Sequence, residues 1–377
     1  MSYLIRVFFL IKSLKRWYKS CNLRYINYTK YERTIAMEKY EYEENIDFTS
    51  GEIGYLWQTY QYESITVCGL TYFLQHIDDQ AVKEILEKAL DISQKRLSKI
   101  KEILTDANYQ IPQGFTEGDV NLQAPRLFSD KMYLQYLIHM LQMELKFYGT
   151  AMLGVVKLRV QNFYQQVIKD TMELEMEAKE LAKRKGLYIR APKVPSPKHI
   201  EFVKKESFLA GWFGETRPLL AIEIAELVFN AKRNALGHAV ITAFAQVTKL
   251  KDVRDYFIRG KKIANKHVET FTNKLHKEDL ADATSLLAAE ITESTESPFS
   301  DKLMMNFIAN LIGSSLGQYG SAMAVSPRRD LGVMYTKLMA EIAKYSNDGE
   351  EILITNGWME KPPIAADRDK LMKKESE

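Results

Sequence analysis

The chain has 377 residues, 46% apolar and 27% charged, enough for two ordinary domains with their own cores. Two cysteines, Cys21 and Cys68, exclude a disulfide scaffold and a four-cysteine zinc site, and suit a reducing, cytoplasmic setting. The net charge of +3 is uneven: residues 1–36 hold eight Lys/Arg and one acid, leaving 44 basic and 48 acidic side chains in residues 37–377, a body that gives nucleic acid no electrostatic footing.

The chain opens with "YLIRVFFLI" at Tyr3–Ile11, apolar but interrupted by Arg6. That is well short of the roughly 20 apolar residues a transmembrane helix needs, and no small-residue cleavage site follows. From Met37 the composition turns acidic, "MEKYEYEENIDFTSGE". Residues 1–36 are expected to be an upstream extension that translation normally omits, or a disordered basic segment; a basic amphipathic membrane anchor is the alternative.

The first helix begins at Thr49, where Thr49 and Glu52 have capping-box spacing, and carries Ile53, Leu56, Tyr60, Val67 and Leu74. The second places Val82, Leu86, Ala89, Leu97, Ile100 and Leu104 at helical spacing. A long aperiodic connection, "ANYQIPQGFTEGDVNLQAPR", precedes "LFSDKMYLQYL". There Ser129 suits an N-cap, Asp130 suits the positive end of the helix dipole, and Phe128 is placed to staple onto Tyr133. The third helix keeps Tyr136, Leu137, Met140, Leu141, Leu145 and Tyr148 on one broad face, and a fourth ends near Gly186.

This pattern recurs. "PFSDKLMMNFI" at Pro298–Ile308 repeats Phe-Ser-Asp-Lys 171 positions later. At the same offset Tyr148 pairs with Tyr319, Gly149 with Gly320, Tyr164 with Tyr335, Gly186 with Gly357 and Pro192 with Pro363. One register held over so many positions is a tandem duplication, and a period this long means two whole domains. In the second copy Phe299 would staple onto Met304, and Ser326-Pro327 reads as a cap residue followed by Pro at the first position of the fourth helix. The expected fold is all-α: two tandem ferritin-like four-helix bundles, residues 49–195 and 216–366, each with a long crossover between helices two and three. Residues 196–215 form the linker, whose aromatic end (Phe208, Trp212, Phe213) is expected to pack between the bundles.

The phrases "SGEIGYLWQTY", "FLQHIDD", "GFTEGDVNLQAPRLFSD", "KGLYIRAP", "STESPFSDKLMMNF" and "NGWMEKPPIAADRDKL" resemble the tandem family of endospore-forming bacteria catalogued as domain of unknown function 3231, over about residues 49–372. That family is similar to ferritin-like bundles and is likened to spore coat protein F. The resemblance implies the fold and a bacterial spore-former setting. It brings no catalytic residues.

Ferritin-like bundles often hold two irons or manganeses through a Glu on each of two helices and Glu-x-x-His on the other two. No Glu-x-x-His occurs before any of the six histidines. Looser candidates lie in the first unit: Glu63, Asp91, His139 and Glu144. His139 and Glu144 are five residues apart, so they diverge by roughly 140° around a helix. Glu144 is therefore expected to be a solvated or interface charge, and His139 a partly buried hydrogen-bonding residue. In the second copy Glu63, Asp91, His139 and Glu144 become Asn234, Lys262, Asn310 and Ser315, while His267 faces Arg96. No cofactor is expected. Phosphate loops, serine elbows and calcium loops are lacking, and Cys68 on an apolar face reads as core. The expected role is a non-catalytic structural or interaction protein, sporulation- or stress-associated, with a protein partner or self-association. The alternative is a ferritin-type iron- or manganese-binding protein or oxidoreductase with a site in the first bundle only.

Overall fold

The computed structural model describes residues 47–209, 216–281 and 287–373. The residues 1–36, Trp212 and Phe213 lie outside them. Among the described residues eight long helices follow one another: α1 Ser50–His76, α2 Gln80–Asp106, α3 Asp130–Leu153, α4 Leu158–Arg184, α5 Ala221–Val247, α6 Lys251–His276, α7 Asp301–Ala324 and α8 Arg329–Thr355. A short α9, Arg368–Lys373, comes last. Two four-helix bundles result, α1–α4 and α5–α8, and the described residues contain no sheet, only two isolated bridges.

The two halves keep one register. Ser50 and Ala221, Gln80 and Lys251, Asp130 and Asp301, Leu158 and Arg329 are each 171 apart. Gly186 and Gly357 end α4 and α8 at φ +68° and +66°, the left-handed conformation that glycine adopts without penalty. Each bundle's first helix is tied to its fourth by a buried carboxylate. Glu52 closes the box with Thr49 and accepts the Val156 and Lys157 N–H groups at 3.1 and 2.5 Å. Glu223 does the same for Leu220 and Arg328, and adds an ion pair with Arg217. The fourth helix of the second half accordingly starts at Arg329, two residues later than Ser326-Pro327 suggests. The capping acceptor comes from α5, not from the adjacent serine.

The repeated Phe-Ser-Asp-Lys does more than start a helix. Ser129 and Ser300 cap α3 and α7. Their hydroxyls also donate across to the other half, Ser129 to Glu290 at 2.6 Å and Ser300 to Asp119 at 2.7 Å. The backbone repeats the exchange. Val120 bridges Phe299, and Phe128 bridges Ile291. Asn121 N donates to Pro298 O, and Thr292 N to Leu127 O. Every one of these contacts has its mate 171 residues on, so the halves meet about a pseudo-two-fold axis with their crossovers paired. Asp130 and Asp301 accept the backbone N–H groups of the turns before α2 and α6, at Asp79 and Leu250. Phe128 lies edge-on to Tyr133 at 6.4 Å, as its staple position predicts. Phe299 meets Tyr72 of the first bundle at 5.2 Å. Phe208 stacks beneath Arg217 at the start of the second bundle, 4.4 Å from guanidinium to ring.

Candidate functional site

The centre of the first bundle is a buried ion cluster. Arg96, from α2, is 5% exposed; Glu63 of α1 and Glu144 of α3 are also buried. One terminal nitrogen of Arg96, Nη1, donates to Glu63 Oε1 at 2.9 Å and Glu144 Oε2 at 3.0 Å. The other reaches Thr171 Oγ1 at 2.6 Å and Val167 O on α4. Tyr148 donates to Glu63 at 2.6 Å. All four helices thus converge on one guanidinium. Burial pushes the Glu144 carboxyl up to about 7, the Arg96 charge pulling the other way and Glu63 adding to the rise.

The second bundle puts uncharged side chains at the matching positions. Asn234, His267 and Ser315 stand at the positions of Glu63, Arg96 and Glu144. The Tyr319 hydroxyl sits between the Asn234 amide at 2.7 Å and His267 Nδ1 at 3.0 Å, and His267 Nε2 meets Glu341 at 3.1 Å. A cavity of about 70 Å³ opens beside this network. The duplicated tyrosines keep their geometry: Tyr148 to Tyr164 is 6.2 Å at 41°, and Tyr319 to Tyr335 is 6.1 Å at 44°.

Of the four candidate ligands, Glu63 and Glu144 come together. Asp91 is exposed and paired with Lys95 at 2.5 Å. His139 points away from the cluster toward the second half, where it shares two cavities with Arg233; burial first, then that guanidinium, holds its imidazole well below the usual range. Glu144 is no solvated or interface charge: it is buried at the centre of its own bundle, where Arg96 of α2 and Thr171 of α4 donate to it. Arg96 is the residue the pattern overlooked. The buried stripe of α2 runs Val82, Ile85, Leu86, Ala89, Ser93, Arg96, Ile100, while Leu97 is only partly buried. An arginine in register with a helix's apolar stripe is the signal that could have found it.

A di-metal centre of the ferritin type does not fit these residues. The donor set is two carboxylates without histidine, and a permanently charged guanidinium already bridges them. Among the described residues no group of three or more His, Cys, Asp or Glu is arranged to hold a metal.

The sequence pattern of the family described as protein of unknown function (DUF3231) matches residues 37–200 and again residues 207–371. The chain belongs to that family. In this DUF3231 protein each match spans one bundle with its crossover. A solved structure from Bacillus halodurans C-125, named only provisionally as a spore coat protein, is 17% identical with a TM-score of 0.35. It aligns with 42% of this chain and 99% of its own length. A search of the curated proteins returns no match. No helix among the described residues is long and apolar enough to cross a membrane.

Proposed function

We propose that this DUF3231 protein is a non-catalytic structural or interaction protein whose two bundles act as one rigid scaffold, with no catalytic residue and no resident metal. The observation that carries this reading is the Arg96 cluster. At the point where four helices could present ligands, the chain supplies its own cation, which bridges both carboxylates. The partner is a protein or a second copy of the chain, since the mildly acidic body disfavours nucleic acid. The setting is cytoplasmic and reducing, in keeping with the buried free thiol of Cys68. Its sporulation or stress association rests on the family resemblance. The domains are residues 49–195 and 216–366 with 196–215 as linker, and protease cleavage confined to 196–215 would support that division.

The alternative, a metal site in the first bundle alone, is favoured by one fact: Glu63 and Glu144 do meet at its centre. Metal analysis decides between the two readings. Protein purified from iron- and manganese-supplemented medium should carry no stoichiometric iron, manganese or zinc. Stoichiometric metal that is lost in Glu63→Gln would establish the alternative.

A further inference from the structure

Arg233, on α5, is 5% exposed, yet it makes no ion pair among the described residues. Its hydrogen bonds all come from one nitrogen, Nη2, to the neutral Ser314 Oγ at 2.9 Å and the Met143 sulfur at 3.8 Å. Glu226, two turns earlier, is the carboxylate whose charge reaches it, but that group is taken by Gln318 at 2.7 Å. A buried guanidinium cannot shed its proton under ordinary conditions, and leaving it unpaired is costly. Beside it lies a cavity of about 110 Å³ between the halves. Lys232 lines this cavity as a second cation, its ammonium donating to Ile189 O and lying 5.3 Å from the Tyr188 ring. The remaining wall is mixed: Phe229, Leu236 and Ile138 give it an apolar side, and His139, Gln135 and Gln142 a polar one.

The duplication supplies a control. On the opposite side of the pseudo-two-fold axis, Gln61 and Tyr62 stand where Lys232 and Arg233 do, and Glu360 stands in place of Ile189. There the chain seats its own carboxylate: Glu360 accepts from Gln61 at 2.5 Å and from the backbone N–H groups of Gln113 and Gly114 at 2.8 and 3.2 Å. At these three duplicated positions one side therefore has a carboxylate and no cation, and the other has two cations and no carboxylate.

We infer that the cavity at Arg233 and Lys232 binds a small free monocarboxylate with a short apolar body. The guanidinium fork matches a carboxylate in two-pronged fashion, the apolar side takes the chain, and the volume admits about six heavy atoms. A phosphate dianion would have to shed more hydration on entering the same cavity.

The test is isothermal titration of the intact protein with sodium butyrate at constant ionic strength, with butyramide, butylammonium and inorganic phosphate as comparison probes. Butyrate should bind saturably at one site, with the neutral and cationic analogues at least about tenfold weaker. Arg233→Met should lose about tenfold or more in butyrate affinity while keeping its helical spectrum, and Lys232→Met should weaken it several-fold. If Arg233→Met does not fold, Lys232→Met and the butyrate-induced rise in the wild-type melting temperature carry the test. Absence of saturable butyrate binding to the wild type, equal binding of butyramide, or unchanged affinity in the folded variants would overturn the assignment. So would phosphate binding as tightly as butyrate.

Discussion

Arg96 and Glu144 show how one buried side chain decides the character of a bundle. Arg96→Met strands Glu63 and Glu144 without their counter-charge, and should destabilise the protein by about 3–5 kcal/mol, read by denaturant unfolding near neutral pH. The same variant should lose less at acid pH, where the carboxyls are protonated. Glu144 gives the pH dependence a definite sign. Its carboxyl is raised by burial from 4.5 to about 7, so the folded state binds the proton more tightly than the unfolded chain does. That contribution is complete below about 4.5 and is lost as the pH rises through about 7. Unfolding free energies measured across this window should fall with pH, and Glu144→Gln should flatten the slope. Glu52 and Glu223 run the other way. Burial alone would raise them, but the backbone N–H groups at Thr49 and Lys157, and the Arg217 side chain with the N–H of Leu220, hold them below the usual carboxylate range. Their stabilisation disappears as the pH falls through those lowered values.

At the scale of elements, α6 and α8 pack through a coupled set of substitutions. Tyr256 and Tyr345 stack at 4.1 Å and 5°, and each hydroxyl donates to the other's backbone carbonyl. Gly260 and Gly349 make room for them: a Cβ on Gly260 would come within 2.1 Å of the Tyr345 hydroxyl and 2.4 Å of Ile241. In the first bundle the same four positions hold Ile85, Leu174, Ala89 and Ala178. Large side chains have been exchanged for larger ones only where the facing residue shrank. Gly260→Ala should therefore destabilise by about 1–3 kcal/mol through overpacking. Adding Tyr345→Leu should recover part of that loss, a coupling that a double-mutant cycle measures directly. Ser129→Ala and Ser300→Ala each remove a helix cap and a hydrogen bond to a carboxylate of the other half, and each should lower stability by about 1–3 kcal/mol in thermal melts.

The two bundles are a dimer-like pair within one chain. Each crossover hydrogen-bonds with the other half's crossover, and the segment after each fourth helix lies on the opposite bundle, at Lys232 and at Gln61. The two halves, residues 37–205 and 206–373, expressed as separate chains and mixed, should assemble into a 1:1 complex detectable by size-exclusion chromatography. Each half alone should be less stable than the complex, because its crossover has lost its pairing partner. Two independently stable monomers that ignore each other would refute this.

Helix existence, order and duplication were legible in the sequence because they rest on local physics: apolar period, capping serines, and glycines at left-handed ends. The register of 171 carries all of these from one half to the other. What lay beyond reach is what depends on neighbours distant in the chain. Whether Ser326 or Glu223 caps α8 is settled by α5, and the ring that Phe299 meets, Tyr72, is supplied by the other bundle. Glu144 looked like a surface charge because its own helix does not reveal that Arg96 of α2 and Thr171 of α4 meet it at the bundle centre. The choice between Arg96 and Leu97 for the bundle centre turns on 100° of helix rotation, which only the packed α1, α3 and α4 determine. Local periodicity thus determined where the helices are and that there are two sets of four. The tertiary structure decided which charges lie inside them, since the groups that offset a buried charge come, as at Arg96, from residues far away in sequence.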